Sequence, residues 1–389
     1  MPKTARITPV PAAEPRRVSV LGATGSIGDS TLRVLAEHPD KFHISALTAQ
    51  ENADKLIELC QTHRPQLAAI GNPAHYERVK AALTPLGIRV TTDIEEAAAL
   101  PCDISVAAIV GAAGLQPTLR AIEQGAQVAL ANKESLVCAG TLMLAACARH
   151  GTKLVPVDSE HNAIFQVLQG SLSAVETITL TASGGPLRTR PLNTFDSVTV
   201  EEAVNHPRWT MGAKISVDSA TMANKGLELI EAHYLFNLPS EQLAVLMHPE
   251  SIIHSLVHFA DGSVLAQLGM PDMRIPIAYA LSWPERLAVQ TPRLDLAAMG
   301  ALHFSAVEDA RFPALALARQ ALAAGPSHCI AFNAANEVAV GRFLAREIPF
   351  TRIRAIIAAA LEKAPTCPIS NISDVLACDE QARQLAMKD

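Results

Sequence analysis

A glycine-rich turn between a strand and a helix constrains the fold of this chain more than any other feature. The segment Gly22-Ala23-Thr24-Gly25-Ser26-Ile27-Gly28 follows an apolar run at 18–21 and precedes a helical pattern. Glycines at such a turn let the backbone approach a pyrophosphate, and the helix N-terminus presents N–H donors there. Its spacing is G-x-x-G-x-x-G rather than G-x-G-x-x-G, so a simple tight turn is the alternative interpretation. We favour the binding of a redox cofactor.

Strands alternate with helical patterns through the first part of the chain, with strands expected at 18–21, 43–48, 103–110 and 127–131. This alternation predicts a parallel sheet that is covered by helices on both faces. Hydrophobic residues make up 49% of the chain and aromatic residues only 4%, which favours helices on sheets over an aromatic-rich β fold. We therefore predict an α/β chain whose residues 17–157 form a Rossmann-like domain.

The rest of the chain changes character. Residues 158–282 mix strands and helices, with a hairpin expected about Asp261-Gly262, and predict a central α+β domain with a mixed sheet. Residues 283–308 show little periodicity and are interpreted as a linker, whereas the Ala- and Leu-rich patterns of 309–389 predict a small helical domain. Residues 1–16 lack the apolar region of a secretory signal and are expected to be a disordered leader.

Charge, hydropathy and cysteine usage exclude several classes of protein. The net charge is −6 and no long basic block occurs, which argues against nucleic acid as a partner. No run has the length of an uncharged transmembrane helix, so we expect no membrane partner. The seven cysteines are scattered without a C-x-x-C pair, which argues against a disulfide framework or a thiolate metal site. We expect a soluble cytoplasmic protein.

Three carboxylates stand near short stretches rich in Ser, Asn, Lys and His. Asp158 and Glu160 are two residues apart, and on an extended chain positions i and i+2 share one face. Together with Glu228 they would offer an all-oxygen set, which suits a hard ion such as Mg²⁺ or Mn²⁺ rather than zinc. Alone, such a pair is more often a solvated turn.

Two further segments follow predicted strands, where ligands bind in a doubly wound sheet. Lys133, in Asn132-Lys133-Glu134, could polarise a carbonyl group, and its neighbours could hold a cofactor; the alternative is a capped helix start with solvated charges. Ser183-Gly184-Gly185 offers a hydroxyl and free N–H groups that suit a phosphate. An ordinary turn is the alternative there.

A mobile loop and a polar helix face complete the candidate site. The loop 206–212 has Trp209 at its centre and is typical of a lid that excludes water from a bound substrate. A helix is expected to run to about Phe236, with Asp218 or Ser219 as its N-cap. One arc of this helix presents Asn224, Lys225 and Glu228. A solvated face with a Lys–Glu pair is the usual alternative.

The residues after the second strand bear on the choice of cofactor. They are Gln50, Glu51 and Asn52. An acidic group there hydrogen-bonds a ribose diol, whereas a basic group accommodates a 2′-phosphate. Glu51 therefore favours NAD mildly, but a side chain that turns to solvent would favour neither.

Five blocks, in this order, resemble the 1-deoxy-D-xylulose 5-phosphate reductoisomerase family. They are ALANKESLV (129–137), VPVDSEHNAIFQ (155–166), ASGGP (182–186), ISVDSATMANKGLE (215–228) and HPESIIHSLV (248–257). The resemblance runs from about Arg17 to the C-terminal helices. It implies a homodimer of three-domain chains whose central domain is the catalytic and dimerisation domain. It also implies metal-dependent isomerisation of 1-deoxy-D-xylulose 5-phosphate and its NADPH-dependent reduction to 2-C-methyl-D-erythritol 4-phosphate.

The resemblance also assigns roles to residues. It implies a divalent cation (Mn²⁺, Mg²⁺ or Co²⁺) on Asp158, Glu160 and Glu228, with Lys133 as a further catalytic residue. Substrate contacts are implied for Lys133, Ser159, Glu160, Ser183, His206, Trp209, Ser219, Asn224, Lys225, Glu228 and His254. NADPH contacts are implied for Thr24, Gly25, Ser26, Ile27, Asn52, Asn132, Glu134 and Gly212. The family commonly has Gly-Lys or Gly-Arg where Gln50-Glu51 stands here, so we predict a weaker preference for NADPH over NADH.

Two other classes of function remain as alternatives. A metal-independent dehydrogenase of the homoserine or aspartate-semialdehyde type also joins a glycine loop to a mixed domain. An aspartate-semialdehyde enzyme needs a nucleophilic Cys in a Cys–His context, which is not evident here. A nucleotide-sensing regulatory protein would keep the first domain without needing three carboxylates beside a phosphate site. Metal dependence and turnover separate these alternatives.

Overall fold

The computed structural model describes residues 14–168, 174–209 and 211–388. In these ranges the chain forms a seven-stranded sheet, a separate four-stranded sheet and a group of C-terminal helices. The predicted leader at 1–16 lies mostly outside the described residues. No helix within them is both long and apolar enough to cross a membrane.

The first sheet is parallel throughout and has the strand order β4-β3-β2-β1-β5-β6-β7 in the described residues. Its strands are β1 Arg16–Leu21, β2 Phe42–Ala49, β3 Leu67–Ile70, β4 Arg89–Thr91, β5 Ile104–Ala107, β6 Gln127–Leu130 and β7 Leu154–Pro156. The helices between them are α1 Ser26–Ala36, α2 Ala53–His63, α3 Tyr76–Leu83, α4 Ile94–Ala98, α5 Leu115–Glu123 and α6 Lys133–His150. The predicted Rossmann-like sheet is confirmed. Its strand order reverses direction between β1 and β5, where such sheets bind ligands beyond the carboxyl ends of the strands.

The second sheet is mixed, as predicted. Its order is β11-β10-β8-β9, in which β8 and β9 are parallel while β10 is antiparallel to β8 and β11. The strands are β8 Val175–Ala182, β9 Leu243–Met247, β10 Ile253–Phe259 and β11 Val264–Leu268. The predicted hairpin about Asp261-Gly262 is confirmed, because these residues join β10 to β11 and Gly262 has a φ of +84° that favours glycine.

Helices of the central region position the two sheets against each other. They are α7 Ser159–Val167, α8 Val200–Val204, α9 Ala213–Thr221, α10 Ala223–Phe236 and α11 Arg274–Ser282. Ile277 and Leu281 of α11 are buried in the core of the first sheet with Val18 and Val20. The chain therefore returns from the mixed sheet to cover the Rossmann-like domain before it enters 283–308.

The C-terminal helices are built around one buried helix. They follow the short α12 Leu296–Met299 and are α13 Ala314–Ala324, α14 Pro326–Leu344, α15 Arg352–Lys363 and α16 Ile372–Lys388. Helix α14 is buried on nearly every side along 327–340, and Phe332, Ala335 and Ala339 on it are fully buried. A helix of this kind needs neighbours on every side, and α14 packs against α15, α16 and also α6. The predicted helical domain is confirmed.

Candidate active site

A cavity of about 390 Å³ opens where the carboxyl ends of the first sheet meet the mixed sheet and helices α9 and α10. Its lining includes every predicted site residue except Thr24, Gly25 and Asn52. Segments that lie far apart in the sequence thus meet in one cleft. Because Ser26 and Ile27 also line it, the glycine turn and the carboxylates face the same space.

The three predicted metal-binding carboxylates converge in this cleft. One oxygen from each of Asp158, Glu160 and Glu228 lies within 4.8 Å of the other two. The expectation that Asp158 and Glu160 share a face of an extended strand was wrong, since β7 ends at Pro156 and a helix begins at Ser159. Asp158 precedes this helix and Glu160 lies in its first turn, so the turn of the chain into α7 brings the two carboxylates together.

Two buried lysines face these carboxylates. The Lys133 ammonium group pairs with Asp158, lies 3.2 Å from Glu228 Oε1 and donates to Asn224 Oδ1 at 3.0 Å. The Lys225 ammonium group lies 2.7 Å from Glu160 Oε1 and pairs also with Glu228. The Lys–Glu pair of α10 is present, but it is buried rather than solvated. Three carboxylates and two ammonium groups leave one net negative charge, which a cation can offset.

Burial and neighbouring charge shift the pKa values of the carboxylates in different directions. Burial would raise the pKa of Asp158, but Lys133 and His161 together outweigh this effect and lower the pKa well below its usual range. Burial, followed by the nearby Glu160, raises the pKa of Glu228. Glu228 is fully buried, so its charge is the one that depends most on its partners.

The donor set fits a hard divalent cation. The converging atoms are carboxylate oxygens, and none of the cysteines lines the cleft. Oxygen donors of this kind suit Mg²⁺ or Mn²⁺, whereas structural zinc sites use thiolate and imidazole ligands.

Sequence reasoning missed a buried pair behind these ligands. The His161 imidazole donates from Nε2 to the Glu228 carbonyl oxygen at 2.9 Å. Its Nδ1 lies 3.3 Å from Glu231 Oε2 and 3.7 Å from Asp158 Oδ2. A signal for Glu231 did exist, because it follows Asn224 by two helical turns and therefore lies on the same polar arc of α10.

The expected helix that carries this arc is in fact two helices. Met222 has a φ of +61° and separates α9 from α10. Asp218 and Ser219 lie inside α9, so their prediction as N-caps was wrong. Asp218 instead accepts from Asn336 at 2.8 Å and pairs with Lys214 at 2.9 Å.

The Ser-Gly-Gly loop after β8 packs against the end of α9. A Cβ atom on Gly185, whose φ is +64°, would lie 2.8 Å from the Ser219 carbonyl oxygen. Only glycine allows this close approach. The loop thereby brings Ser183 and Ser219 to the same side of the cleft, where both line the cavity.

The lid segment is tied to this loop through His206. Its Nδ1 accepts from the backbone N–H groups of Arg208 at 3.2 Å and Trp209 at 3.0 Å, so Nε2 carries the proton and donates to Ser183 Oγ at 2.9 Å. Burial lowers the pKa of His206 to about 4, so it is neutral near pH 7. The Trp209 ring lies 6.4 Å from the buried His254 ring. Burial also lowers the pKa of His254.

The predicted cofactor side of the cleft is shaped by a cap and a tight turn. Asn132 accepts from Ser135 N at 2.6 Å and therefore caps α6. A capped helix start was the alternative interpretation of this segment. Lys133 and Glu134 beside it are nonetheless buried, and Glu134 accepts from Lys214 at 2.9 Å. The turn is tight because a Cβ on Gly22 would lie 2.6 Å from the Ala108 carbonyl oxygen.

Glu51 contacts two residues that follow β3. Its carboxylate accepts from Asn72 Nδ2 at 2.7 Å and lies 3.6 Å from His75 Nε2, with 65% of the side chain exposed. Asn52 caps α2 by accepting from Lys55 N at 3.1 Å. The Lys55 ammonium group reaches the glycine turn, where it donates to the Thr24 carbonyl oxygen at 3.2 Å.

Comparison with known proteins decides the family. A family model of 1-deoxy-D-xylulose 5-phosphate reductoisomerase matches residues 18–140, and models of its C-terminal domains match 154–236 and 268–385. The reductoisomerase of Ralstonia nicotianae is 53% identical over 380 residues, which cover 95% of this chain and 97% of the relative. The chain belongs to the 1-deoxy-D-xylulose 5-phosphate reductoisomerase family. The predicted family and enzyme class are confirmed.

Other relatives and solved structures agree with this assignment. The reductoisomerase of Burkholderia multivorans is 52% identical and covers 95% of this chain and 96% of its own. The Zymomonas mobilis reductoisomerase, solved in complex with NADPH, has a TM-score of 0.91 and 46% identity and covers 96% of this chain and 98% of its own. A DOX-P reductoisomerase in complex with NADPH, fosmidomycin and magnesium has the same TM-score at 41% identity and the same coverage.

Proposed function

We propose that Asp158, Glu160 and Glu228 hold the divalent cation of this reductoisomerase reaction. The reaction is the isomerisation of 1-deoxy-D-xylulose 5-phosphate and its NADPH-dependent reduction to 2-C-methyl-D-erythritol 4-phosphate, in the non-mevalonate route to isoprenoid precursors. The observation that carries the proposal is the convergence of three carboxylate oxygens within 4.8 Å in the cleft that the glycine turn also lines. The bound groups supply Lewis-acid polarisation of the ketone, by Mn²⁺, Mg²⁺ or Co²⁺, and hydride donation, by NADPH.

Lys133 orients the ligands and stays a proton donor. Its ammonium group lies among Asp158, Glu228 and Asn224, and a lysine surrounded by acceptors holds its protons firmly. It therefore suits a role as a donor to the sugar oxygens or to a developing oxyanion rather than as a base. Ser159 lies beside it in the lining of the cleft.

The phosphate group of the substrate is assigned to Ser183, Ser219, Asn224 and Lys225. The first two reach one side of the cleft through the contact of Gly185 with α9. Lys225 lies against Glu160 and Glu228, and its ammonium group has three N–H donors, so one remains for a phosphate. Binding energy from a phosphate remote from the reacting carbons can offset the cost of orienting them and closing the lid.

The lid and the cofactor contacts enclose the reacting atoms. His206 joins the lid to Ser183, and Trp209 with His254 would cover the substrate and exclude water. NADPH contacts are assigned to Thr24, Gly25, Ser26, Ile27, Asn52, Asn132, Glu134 and Gly212. The 11-residue helix α1 begins at Ser26, so its N-terminal N–H groups and dipole are available to the pyrophosphate.

The assembly is assigned as a homodimer, with no nucleic acid or membrane partner. Strand β11 is the outer strand of the mixed sheet in the described residues, and Val264, Leu265 and Leu268 on it are 46%, 51% and 37% exposed. An exposed apolar edge strand is a template for pairing with a second chain. Leu265→Lys should therefore lower the sedimentation coefficient towards that of the monomer.

The seven free cysteines suit a cytoplasmic location.

The test of the metal assignment is NADPH oxidation with deoxyxylulose phosphate in Glu228→Gln. This change removes one ligand charge while it keeps the shape of the side chain, so Mn²⁺ affinity and turnover should both collapse. Activity should also disappear from the wild type with a chelator and return with Mn²⁺. Undiminished turnover of Glu228→Gln at limiting Mn²⁺ would overturn the assignment.

A further inference from the structure

Glu231 is a buried carboxylate for which the reaction described above has no use. Its side chain is 1% exposed, and neither of its oxygens has a hydrogen-bond partner among the described residues. An unsatisfied buried carboxylate is costly and needs an explanation. It lies on α10 one turn after Glu228, so it is behind the metal ligands rather than in the cleft.

His161 connects Glu231 to these ligands. The imidazole is fully buried and stacks on Phe236, with ring centroids 6.3 Å apart and planes 8° apart. Because the Glu228 carbonyl and the two carboxylates can only accept, His161 carries a proton on both ring nitrogens, with Nε2 facing the Glu228 carbonyl and Nδ1 facing Glu231 and Asp158. The ring, which is carried by α7, thus lies between Asp158, which precedes α7, and α10, which carries Glu228 and Glu231.

We propose that Glu231 positions Asp158 through His161 and thereby sets the metal affinity of the site. The imidazole lies between two carboxylates and is 0.4 Å closer to Glu231, at 3.3 Å against 3.7 Å. While Glu231 engages Nδ1, the Asp158 carboxylate is free to face the cation. Without that charge, His161 would draw Asp158 towards itself and away from the other two ligands. The inference rests on the proposed metal site.

The test is Mn²⁺ binding to the metal-free protein without substrate, measured by titration calorimetry and by the EPR signal of free Mn²⁺. Partners behind metal ligands typically contribute about 10- to 100-fold in affinity, so Glu231→Gln should weaken Mn²⁺ binding by about that factor. Asp379→Asn is the matched control, because it removes a carboxylate paired with Arg383 on α16, away from the cleft. Its Mn²⁺ affinity should equal that of the wild type.

A double-mutant comparison separates positioning from simple loss of structure. If Glu231 acts through His161, Glu231→Gln should cause no further weakening in a His161→Gln background. Glu231→Asp keeps the charge but moves the carboxylate away from His161, so its Mn²⁺ affinity should be intermediate. If circular dichroism shows that Glu231→Gln is unfolded, Glu231→Asp takes its place in the test. A dissociation constant within twofold of the wild type in the folded variant overturns the proposal.

Two further outcomes distinguish this inference from the proposals beneath it. If Glu228→Gln abolishes Mn²⁺ binding and Glu231→Gln leaves it intact, only the positioning role fails. If Glu228→Gln also leaves binding intact, the metal site itself is elsewhere. Asp158, His161 and Glu231 also have ligand atoms within 4.8 Å of one another, so they could hold a second ion. If the wild type binds two Mn²⁺ per chain and Glu231→Gln binds one, the positioning role is overturned in favour of that second site.

Discussion

Gly226 offers a sharp test of how the site is supported. It is the fourth residue of α10 and stands between Asn224 and the proposed metal ligand Glu228. A Cβ atom there would lie 2.8 Å from Ala318 Cβ of α13 and 3.1 Å from Phe332 Cζ of α14. Alanine side chains have no rotamers to move, so Gly226→Ala can be accommodated only if the helices separate.

The magnitude follows from two opposed effects. Alanine in place of a helical glycine stabilises a helix by up to about 1 kcal/mol. Carbon atoms normally pack about 3.5–4.0 Å apart, so the 2.8 Å contact requires a displacement of roughly 1 Å. Overpacking of this kind costs about 1–3 kcal/mol. We therefore expect a net loss of about 1 kcal/mol in the free energy of unfolding, and a fall in turnover because α10 moves with its ligands.

Gly341 provides the matched control. It also lies inside a helix, α14, but it is exposed and a Cβ there would have no atom within 4 Å. Gly341→Ala should raise the free energy of unfolding by up to about 1 kcal/mol and leave turnover unchanged. Urea denaturation followed by circular dichroism, with NADPH oxidation on the same samples, compares the two variants. A stabilised, fully active Gly226→Ala would refute the reasoning that close packing requires glycine.

Three further predictions concern charge. Lys225→Ala should lower kcat/KM for the phosphorylated substrate by roughly 30-fold, about 2 kcal/mol, because it also leaves buried carboxylates unpaired; unchanged kinetic constants would place the phosphate elsewhere. Glu51→Lys should raise the ratio of NADPH to NADH efficiency by about fivefold, or about 1 kcal/mol for an exposed pair, and an unchanged ratio would show that position 51 does not face the ribose. His206 has a pKa of about 4 in the folded protein and an ordinary value of 6.5. As the pH falls from 6.5 to about 4, the imidazole is protonated in the unfolded chain but not in the folded one, so the free energy of unfolding should decrease over this range. His206→Asn should reduce that slope in urea denaturation at each pH.

The long elements were predictable from periodicity, and the short ones were not. Strands β1 and β2 and the helices from α13 onward carry apolar patterns long enough to identify. Strands β3 and β4 have four and three residues, which is too short for a period of two to be distinguished from a turn. The break at Met222 was also beyond local reasoning. A left-handed conformation is unfavourable for methionine. It is held by long-range packing, because Met222 is 3% exposed and buried with apolar residues of the mixed sheet such as Leu180 and Met247.

Which side chains come together in the cleft was largely predictable, whereas their charge interactions were not. The motifs around Asp158 and Lys225 do meet there, although the predicted Thr24, Gly25 and Asn52 do not line the cavity. They could not indicate that Lys225 lies against Glu160. The local sequence of α10 is the same whether its polar face is solvated or buried, and only the segments that pack against α10 decide between the two. Glu51 shows the same limit: its attachment to Asn72 depends on the approach of β3 to β2, which no local pattern reports.

What covers α10 is the C-terminal group of helices, and this gives that group a role in the chemistry. Leu227 and Ile230 of α10 are buried in one core with Ala318 and Phe332. The opposite arc of the same helix presents Glu228 and its polar neighbours to the cleft. Buried charges keep their partners only while the surrounding packing is rigid. The C-terminal helices, which contribute no assigned ligand, therefore hold Glu228, a proposed metal ligand, in place beside the cleft. This is why a single methyl group at position 226 is expected to reduce both stability and turnover.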